Sequence, residues 1–357
     1  MSGSARSGPL VGLRVVEFAG IGPGPHCTML FADMGAEVLR IDREGGNGWP
    51  NPVVDRGRST MTLDLRSAAD VATARATAGL ADVVIEGFRP GVMERLGLGP
   101  DVLLADNPRL VYGRMTGWGQ EGPLAKSAGH DINYLALTGA LAAIGKPGEP
   151  APPPLNLVGD FGGGSMFLAF GILSALWERE RSGLGQVVDA AIIDGVSSMM
   201  TMFAGLLPSK RISLDRADNL LGGAAPFYRS YICGDGRELS VGALEPQFWA
   251  EFLERIGVHE PLSQDRDAWS DVEAVLARVL AMRPAAEWAA LLEGTDACAV
   301  GVLGLEEAQA HPHHMVRKTF ESHSGLLQAA PAPRLSRTPG RIAHGEPAAS
   351  LLERWRE

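Results

Sequence analysis

The sequence predicts an α/β protein: a large Rossmann-like domain on a mostly parallel sheet with helices on both faces, then a smaller α+β domain. Three observations carry that reading. Short apolar, β-branched runs alternate with helical patterns over residues 13–203, the arrangement of successive βαβ units. The first unit turns on the glycine-rich string Gly20-Ile21-Gly22-Pro23-Gly24-Pro25. Further on, Asp235-Gly236 between two apolar runs marks a hairpin, and successive helical patterns follow it.

Residues 13–18 read as a buried strand, 27–35 as an apolar helix and 37–42 as a second strand. Asp42 follows the glycine-rich turn by about 20 positions, so the unit imitates a dinucleotide fingerprint. Pro25 stands where that fingerprint needs its third glycine. Proline suits a first helical turn but cannot give the close helix–strand contact, so a tight βα turn is preferred to an NAD site. Strands are predicted at 59–65, 82–86, 110–116 and 185–191, and helices at 68–79, 165–179 and 193–203. Ligands of such sheets bind beyond the carboxyl ends of the strands. Arg40, Arg66, Arg89 and Arg95 fall at or just after strand ends, where they would form a basic rim for phosphates.

The large domain is placed at residues 1–208, a charged, irregular linker at 209–221 and the small domain at 222–325. Within the small domain, strands at 226–233 and 238–243 flank the Asp-Gly turn, with helices at 245–256, 269–282 and 285–292. The tail, 326–357, contains a proline-rich stretch and is expected to return to the large domain.

Composition narrows the function. A net charge of -10 argues against nucleic-acid binding, which needs a basic face. Cys27, Cys233 and Cys298 are far apart and form no CxxC pair, so neither a disulfide framework nor a zinc site is expected. The uncharged run 161–177 opens with Phe-Gly-Gly-Gly-Ser and falls short of about 20 apolar residues, so it reads as a buried core helix, not a membrane span. The first eight residues lack an apolar stretch and read as a flexible leader. A cytoplasmic protein is expected. His311-Pro312-His313-His314, with Glu307 nearby, has metal-ligand residue types, but it reads as a solvated loop and no metal is expected.

Two strings carry candidate chemistry: Ala128-Gly129-His130-Asp131-Ile132-Asn133-Tyr134 and Asn156-Leu157-Val158-Gly159-Asp160-Phe161-Gly162-Gly163-Gly164. Each sets a titratable side chain just before an apolar helical segment. Histidine changes charge near neutrality, and a carboxylate does so only when its pKa is raised. Facing one carbon, the two can move a proton on and off it. Taken singly, His130 is a capping or surface residue and Asp160 a helix N-cap. Backbone N–H groups at the helix start near residues 160–162 are the expected donors to a developing oxyanion.

Several strings in order resemble the family III CoA-transferase (CaiB/BaiF) superfamily. They are Gly12-Leu13-Arg14-Val15-Val16-Glu17-Phe18, Gly87-Phe88-Arg89-Pro90-Gly91, Gly117-Trp118-Gly119-Gln120-Glu121-Gly122-Pro123, Asp160-Phe161-Gly162-Gly163-Gly164 and Gly183-Leu184-Gly185-Gln186-Val187-Val188-Asp189. The His130 string and Gly242-Ala243-Leu244-Glu245-Pro246-Gln247-Phe248 resemble its racemase branch, which inverts the α-carbon of 2-methylacyl-CoA thioesters. The resemblance implies an interlocked homodimer whose sites lie between the large domain of one chain and the small domain of the other. It implies an acyl-CoA substrate and no cofactor, the CoA being part of the substrate. It assigns acid/base roles to His130 and Asp160, with Glu245 as the partner of His130. It puts CoA contacts on Arg40, Leu63, Asp64, Leu65, Arg66, Gly87, Phe88, Arg89, Arg95, Gly129, Asp131, Ile132, Asn133 and Tyr134. Arg66 stands where lysine is common in the family, and either cation can hold a phosphate. Two rivals stay open: CoA transfer with Asp160 as nucleophile, and an acyl-CoA-binding dimer without catalysis. Transferases of the superfamily usually lack a histidine at the position of His130, which favours the racemase branch.

Overall fold

The computed structural model describes residues 6–357. The chain divides into two compact units. The first takes the chain up to Thr138, then Pro154–Met199 and Met315–Glu357; the second takes Gly139–Pro153 and Met200–His314.

The first unit is built on six parallel strands: β1 (Arg14–Phe18), β2 (Glu37–Asp42), β3 (Arg58–Thr62), β4 (Val83–Glu86), β5 (Val111–Thr116) and β6 (Val187–Ala191). Their spatial order is β3-β2-β1-β4-β5-β6. The order reverses between β1 and β4, where Val15 pairs with Val38 on one side and Val83 on the other. Connections then leave β1 and β4 toward opposite edges, and a crevice opens at their carboxyl ends. Val15, Val16, Val38, Leu39, Val83 and Val84 are fully buried. Both faces of a parallel sheet are covered, which is why these strands read as apolar runs without alternation.

The covering helices are α1 (Pro23–Asp33), α2 (Ala68–Ala78), α3 (Val92–Arg95), α4 (Pro100–Asp106), α5 (Asp131–Leu137), α6 (Phe167–Ser182) and α7 (Ile192–Met199). α1 begins four residues before its predicted start because Pro23 can open the helix. The predicted helix at 165–179 is preceded by a wide-turn π-helical segment, Leu157–Met166, so helical structure begins before Asp160. By length and apolar content, Leu157–Ser182 is enough to cross a membrane, contrary to the short apolar run expected. One face of α6 instead buries Leu168 and Ile172, and a Cβ on Gly113 of β5 would lie 3.1 Å and 3.0 Å from their Cδ1 atoms. Its other face is not core: Met166, Phe170, Leu173 and Trp177 are exposed.

The predicted helix 193–203 breaks at Met200, and α8 (Thr201–Leu206) opens the second unit. The unit therefore starts before the predicted linker. It also takes in Gly139–Pro153, because Arg216 donates to the carbonyls of Ala142 (2.8 Å) and Glu149 (2.7 Å). An antiparallel sheet of β7 (Tyr228–Ile232), β8 (Glu238–Gly242) and β9 (Ala299–Gly301) packs with α9 (Pro246–Arg255), α10 (Trp269–Leu280) and α11 (Ala285–Leu292). Gly236 takes the positive φ of the Asp-Gly turn, 79°. Phe227, Trp249, Phe252, Leu276 and Trp288 form the core.

After α12 (Leu305–Ala310) and α13 (Pro312–Arg317), a hairpin of β10 (Phe320–His323) and β11 (Leu326–Ala329) belongs to the first unit, ahead of the predicted boundary at 326. Arg56 fixes it by donating to Gln328 Oε1 at 2.6 Å and to the Ala329 carbonyl at 3.1 Å. The last helix, α14 (Ala348–Arg356), was not predicted; its Leu351, Leu352 and Trp355 join the core around β1 and β4. Of the predicted leader, residues 1–5 lie outside the described residues. Arg6 and Ser7 are tied down, donating to the carbonyls of Ala36 (2.7 Å) and Pro339 (2.9 Å).

Candidate active site

A cleft of about 1560 Å³ opens at the carboxyl ends of β1 and β4. The glycine-rich turn and the ends of β1, β2, β4 and β5 line it, together with Trp118, His130, Tyr134, Asn156, Asp160 and Phe161. His130 and Asp160 thus face one space although 30 residues separate them.

His130 is the exposed residue before α5, and its backbone N–H donates to Asn133 Oδ1 at 3.0 Å. The Tyr134 hydroxyl donates back to the Gly129 carbonyl at 2.5 Å, and its ring meets Trp118 edge-on at 4.7 Å. The loop carrying the imidazole is therefore held by the first turn of the helix it starts.

Asp160 is half-buried within the wide-turn segment. Its backbone N–H donates to Asp131 Oδ2 at 2.7 Å, which joins the two strings directly. Gly159 makes the approach possible, since a Cβ there would lie 2.2 Å from Asp131 Oδ2. Gly22 of the glycine-rich turn lies against the Asp160 carboxylate on another side. Burial raises the pKa of Asp160, and the neighbouring charge of Asp131 adds to the rise. The side-chain hydrogen bond from Asn156 Nδ2 (3.4 Å) and the charge of His130 oppose it. A carboxyl raised in this way is suited to moving protons.

The expected oxyanion donors near 160–162 need correction. The Asp160 N–H is taken by Asp131, and Phe161 N–H donates to the Asn156 carbonyl at 3.2 Å. The helical structure already begins at Leu157, so these amides are no longer at a helix start.

Of the expected CoA contacts, Leu63, Asp64, Leu65, Arg66, Gly87, Phe88, Arg89, Gly129 and Tyr134 line the cleft. Arg40, Arg95, Asp131, Ile132 and Asn133 do not. Arg40 is buried, its guanidinium held by Asp42 (3.0 Å) and Asp55 (2.7 Å). Arg95 is exposed at the end of α3. Asp131 accepts from the Asp160 backbone N–H, and Asn133 from that of His130. Glu245 precedes α9 in the second unit. In the same unit His311 Nε2 lies 2.8 Å from Glu293, while Glu307 pairs with Arg237 at 2.8 Å.

Sequence reasoning missed Glu86. Fully buried at the end of β4, it lines the cleft, accepts from Phe88 N–H (2.7 Å) and pairs with Arg114 (3.0 Å). Burial pushes its pKa up to about 7 against the pull of Phe88 N–H and Arg114. It thereby fixes the Gly87-Phe88-Arg89 turn from beneath. The available signal was a carboxylate ending an apolar strand, Val83-Val84-Ile85-Glu86, where a core residue was due. Trp49, 78% exposed and also on the cleft, was missed because its loop has no periodic pattern.

The CoA-transferase family III model matches residues 10–350. Alpha-methylacyl-CoA racemase of Mus musculus is 45% identical over 334 residues, covering 92% of this chain and 87% of the mouse protein. The Homo sapiens protein of the same name is 42% identical over 337 residues, with the same coverage of 92% and 87%. A CaiB/BaiF family protein from Brucella suis has the same fold, with a TM-score of 0.82 at 24% identity over 98% of this chain and 100% of that one. Rv3272 from M. tuberculosis aligns with a TM-score of 0.78 at 26% identity, covering 96% and 97%. With a match that spans nearly its whole length, this chain belongs to CoA-transferase family III.

Proposed function

We propose that this chain is a racemase that inverts the α-carbon of 2-methylacyl-CoA thioesters by 1,1-proton transfer through an enolate. The observation that carries the reading is the placing of His130 and Asp160 on one cleft, with the Asp160 carboxyl raised by burial. One group removes the α-proton from its face, leaving an enolate conjugated with the thioester. The other delivers a proton to the opposite face, and the roles exchange for the other enantiomer. Each positioned acid or base is worth about 10²–10⁴-fold, so the enolate oxygen must also be stabilised. Leu63 to Arg66 and Gly87 to Arg89 line the part of the cleft assigned to CoA.

Glu245 orients His130 in this reading and comes from the second domain of a partner chain. An interlocked homodimer is supported by the exposed stripe Met166, Phe170, Leu173 and Trp177, spaced to lie along one side of a helix. The reaction needs no metal and no cofactor besides the CoA of the substrate, and the protein works in the cytoplasm.

CoA transfer through an Asp160 anhydride is the rival, since relatives such as the Chloroflexus aurantiacus succinyl-CoA--D-citramalate CoA-transferase, 29% identical, bear that name. One experiment separates them: a single 2-methylacyl-CoA enantiomer in deuterated water, with and without a free carboxylic acid. Deuterium at C2 with inversion supports the racemase, and CoA on the acceptor supports the transferase. His130→Ala should abolish inversion while the ester still binds; normal inversion in that variant would overturn the assignment.

A further inference from the structure

The segment that carries Asp160 is braced from two sides. On one, Gly163 meets α7 so closely that a Cβ on it would lie 2.7 Å from Val196 Cγ2, and a Cβ on Gly195 would lie 1.9 Å from the Gly163 carbonyl. On the other stands His26 of α1. Its ring stacks on Phe161, the residue after Asp160, at 4.3 Å between centroids and 20° between planes. Its Nδ1 lies 2.7 Å from Ser165 Oγ, four residues further along the same segment. Ser165 is fully buried, so its hydroxyl needs a partner, and the His26 ring provides it. His26 does not line the cleft and so does not touch the substrate. Burial, with the charges of Arg56 and Arg58, lowers its pKa.

A wide-turn helical segment needs such bracing. Its hydrogen bonds run to the fifth residue, an arrangement rare in proteins and found mostly at functional sites.

The geometry points to His26 as a positioning residue for Asp160: by gripping Phe161 and Ser165 together, it sets the rotation of the segment and the direction of the carboxyl group. The inference rests on the racemase reading, with Asp160 serving one face of the α-carbon. His26→Phe keeps a ring over Phe161 but loses the bond to Ser165, and Ser165→Ala loses the same bond from the other end.

The test follows deuterium wash-in and inversion separately for each enantiomer, with melting curves to show that the variants fold. Misplacing a reacting group by about 1 Å costs about 10²-fold, so inversion by His26→Phe should fall by about 10- to 100-fold with KM little changed. Wash-in without inversion should persist for the enantiomer whose proton His130 removes, because that half of the machinery is intact. Ser165→Ala should fall in the same way, and the double variant no further than the worse single one. Unchanged inversion in folded His26→Phe would overturn the inference, as would wash-in falling in parallel from both enantiomers, the mark of a merely structural role. Asp160→Asn, run alongside, separates the two levels. If it inverts normally, the racemase reading falls and this inference with it; if it is inactive, the His26 result bears on positioning alone.

Discussion

Replacing Asp131 by alanine removes the acceptor that holds the Asp160 backbone. Its Oδ2 takes the Asp160 N–H at 2.7 Å in a half-buried setting. A hydrogen bond to a charged group contributes about 1.5–3 kcal/mol. If that energy serves to place the carboxyl, its loss lowers the rate by about 10- to 100-fold, at about 1.4 kcal/mol per tenfold. Asp131→Asn keeps an oxygen acceptor without the charge, so its loss should be smaller, below about tenfold for a neutral bond of about 1 kcal/mol. A second signature follows from the charge. Asp131 raises the pKa of Asp160, so both substitutions should lower it and move the acidic limb of the rate profile to lower pH. The assay is inversion of one 2-methylacyl-CoA enantiomer across pH, with ester binding measured separately. Unaltered turnover and an unmoved acidic limb in folded Asp131→Ala would refute the reasoning.

Arg89 is exposed on the cleft and makes no ion pair among the described residues, so Arg89→Ala should weaken CoA-ester binding. Loss of a charge-assisted contact of about 1.5–3 kcal/mol predicts a KM rise of about tenfold or more with kcat little changed; an unchanged KM at low salt would contradict it. Glu86 supplies a prediction on stability. Its folded pKa of about 7 lies above its ordinary value of 4.5, so between those values the folded state holds the extra proton. Stability from this group is therefore full below about pH 4.5 and declines as pH rises toward about 7. Glu86→Gln should flatten that decline in denaturant unfolding across this window, and an identical pH dependence in the two proteins would exclude it.

The parallel sheet was legible because its signal is local. Strands covered on both faces carry short apolar, β-branched cores, and the helices between them show one apolar side; Val15-Val16, Val38-Leu39 and Val83-Val84-Ile85 carry that signature by themselves. The antiparallel pair around Asp235-Gly236 was legible for a like reason, a turn whose left-handed backbone selects glycine. Short elements escaped. β9 has three residues, too few for any period, and α14 gains its stability from the core that its Leu351, Leu352 and Trp355 enter. The unit boundaries escaped as well, because Arg216 and Arg56 reach carbonyls far off in sequence.

The sequence by itself determined the βαβ alternation, the residue types of an acid/base pair and the order of motifs that leads to the family. Each of these depends on neighbouring residues or on a pattern along the chain. Tertiary structure alone decided that His130 and Asp160 share a cleft, that Asp131 holds the Asp160 backbone, and that Arg40 is already paired. It also gave Glu86 its raised pKa and set His26 behind Phe161. Those properties depend on distances between residues tens of positions apart and on the burial that lowers the local dielectric, and neither is encoded in any short stretch of chain.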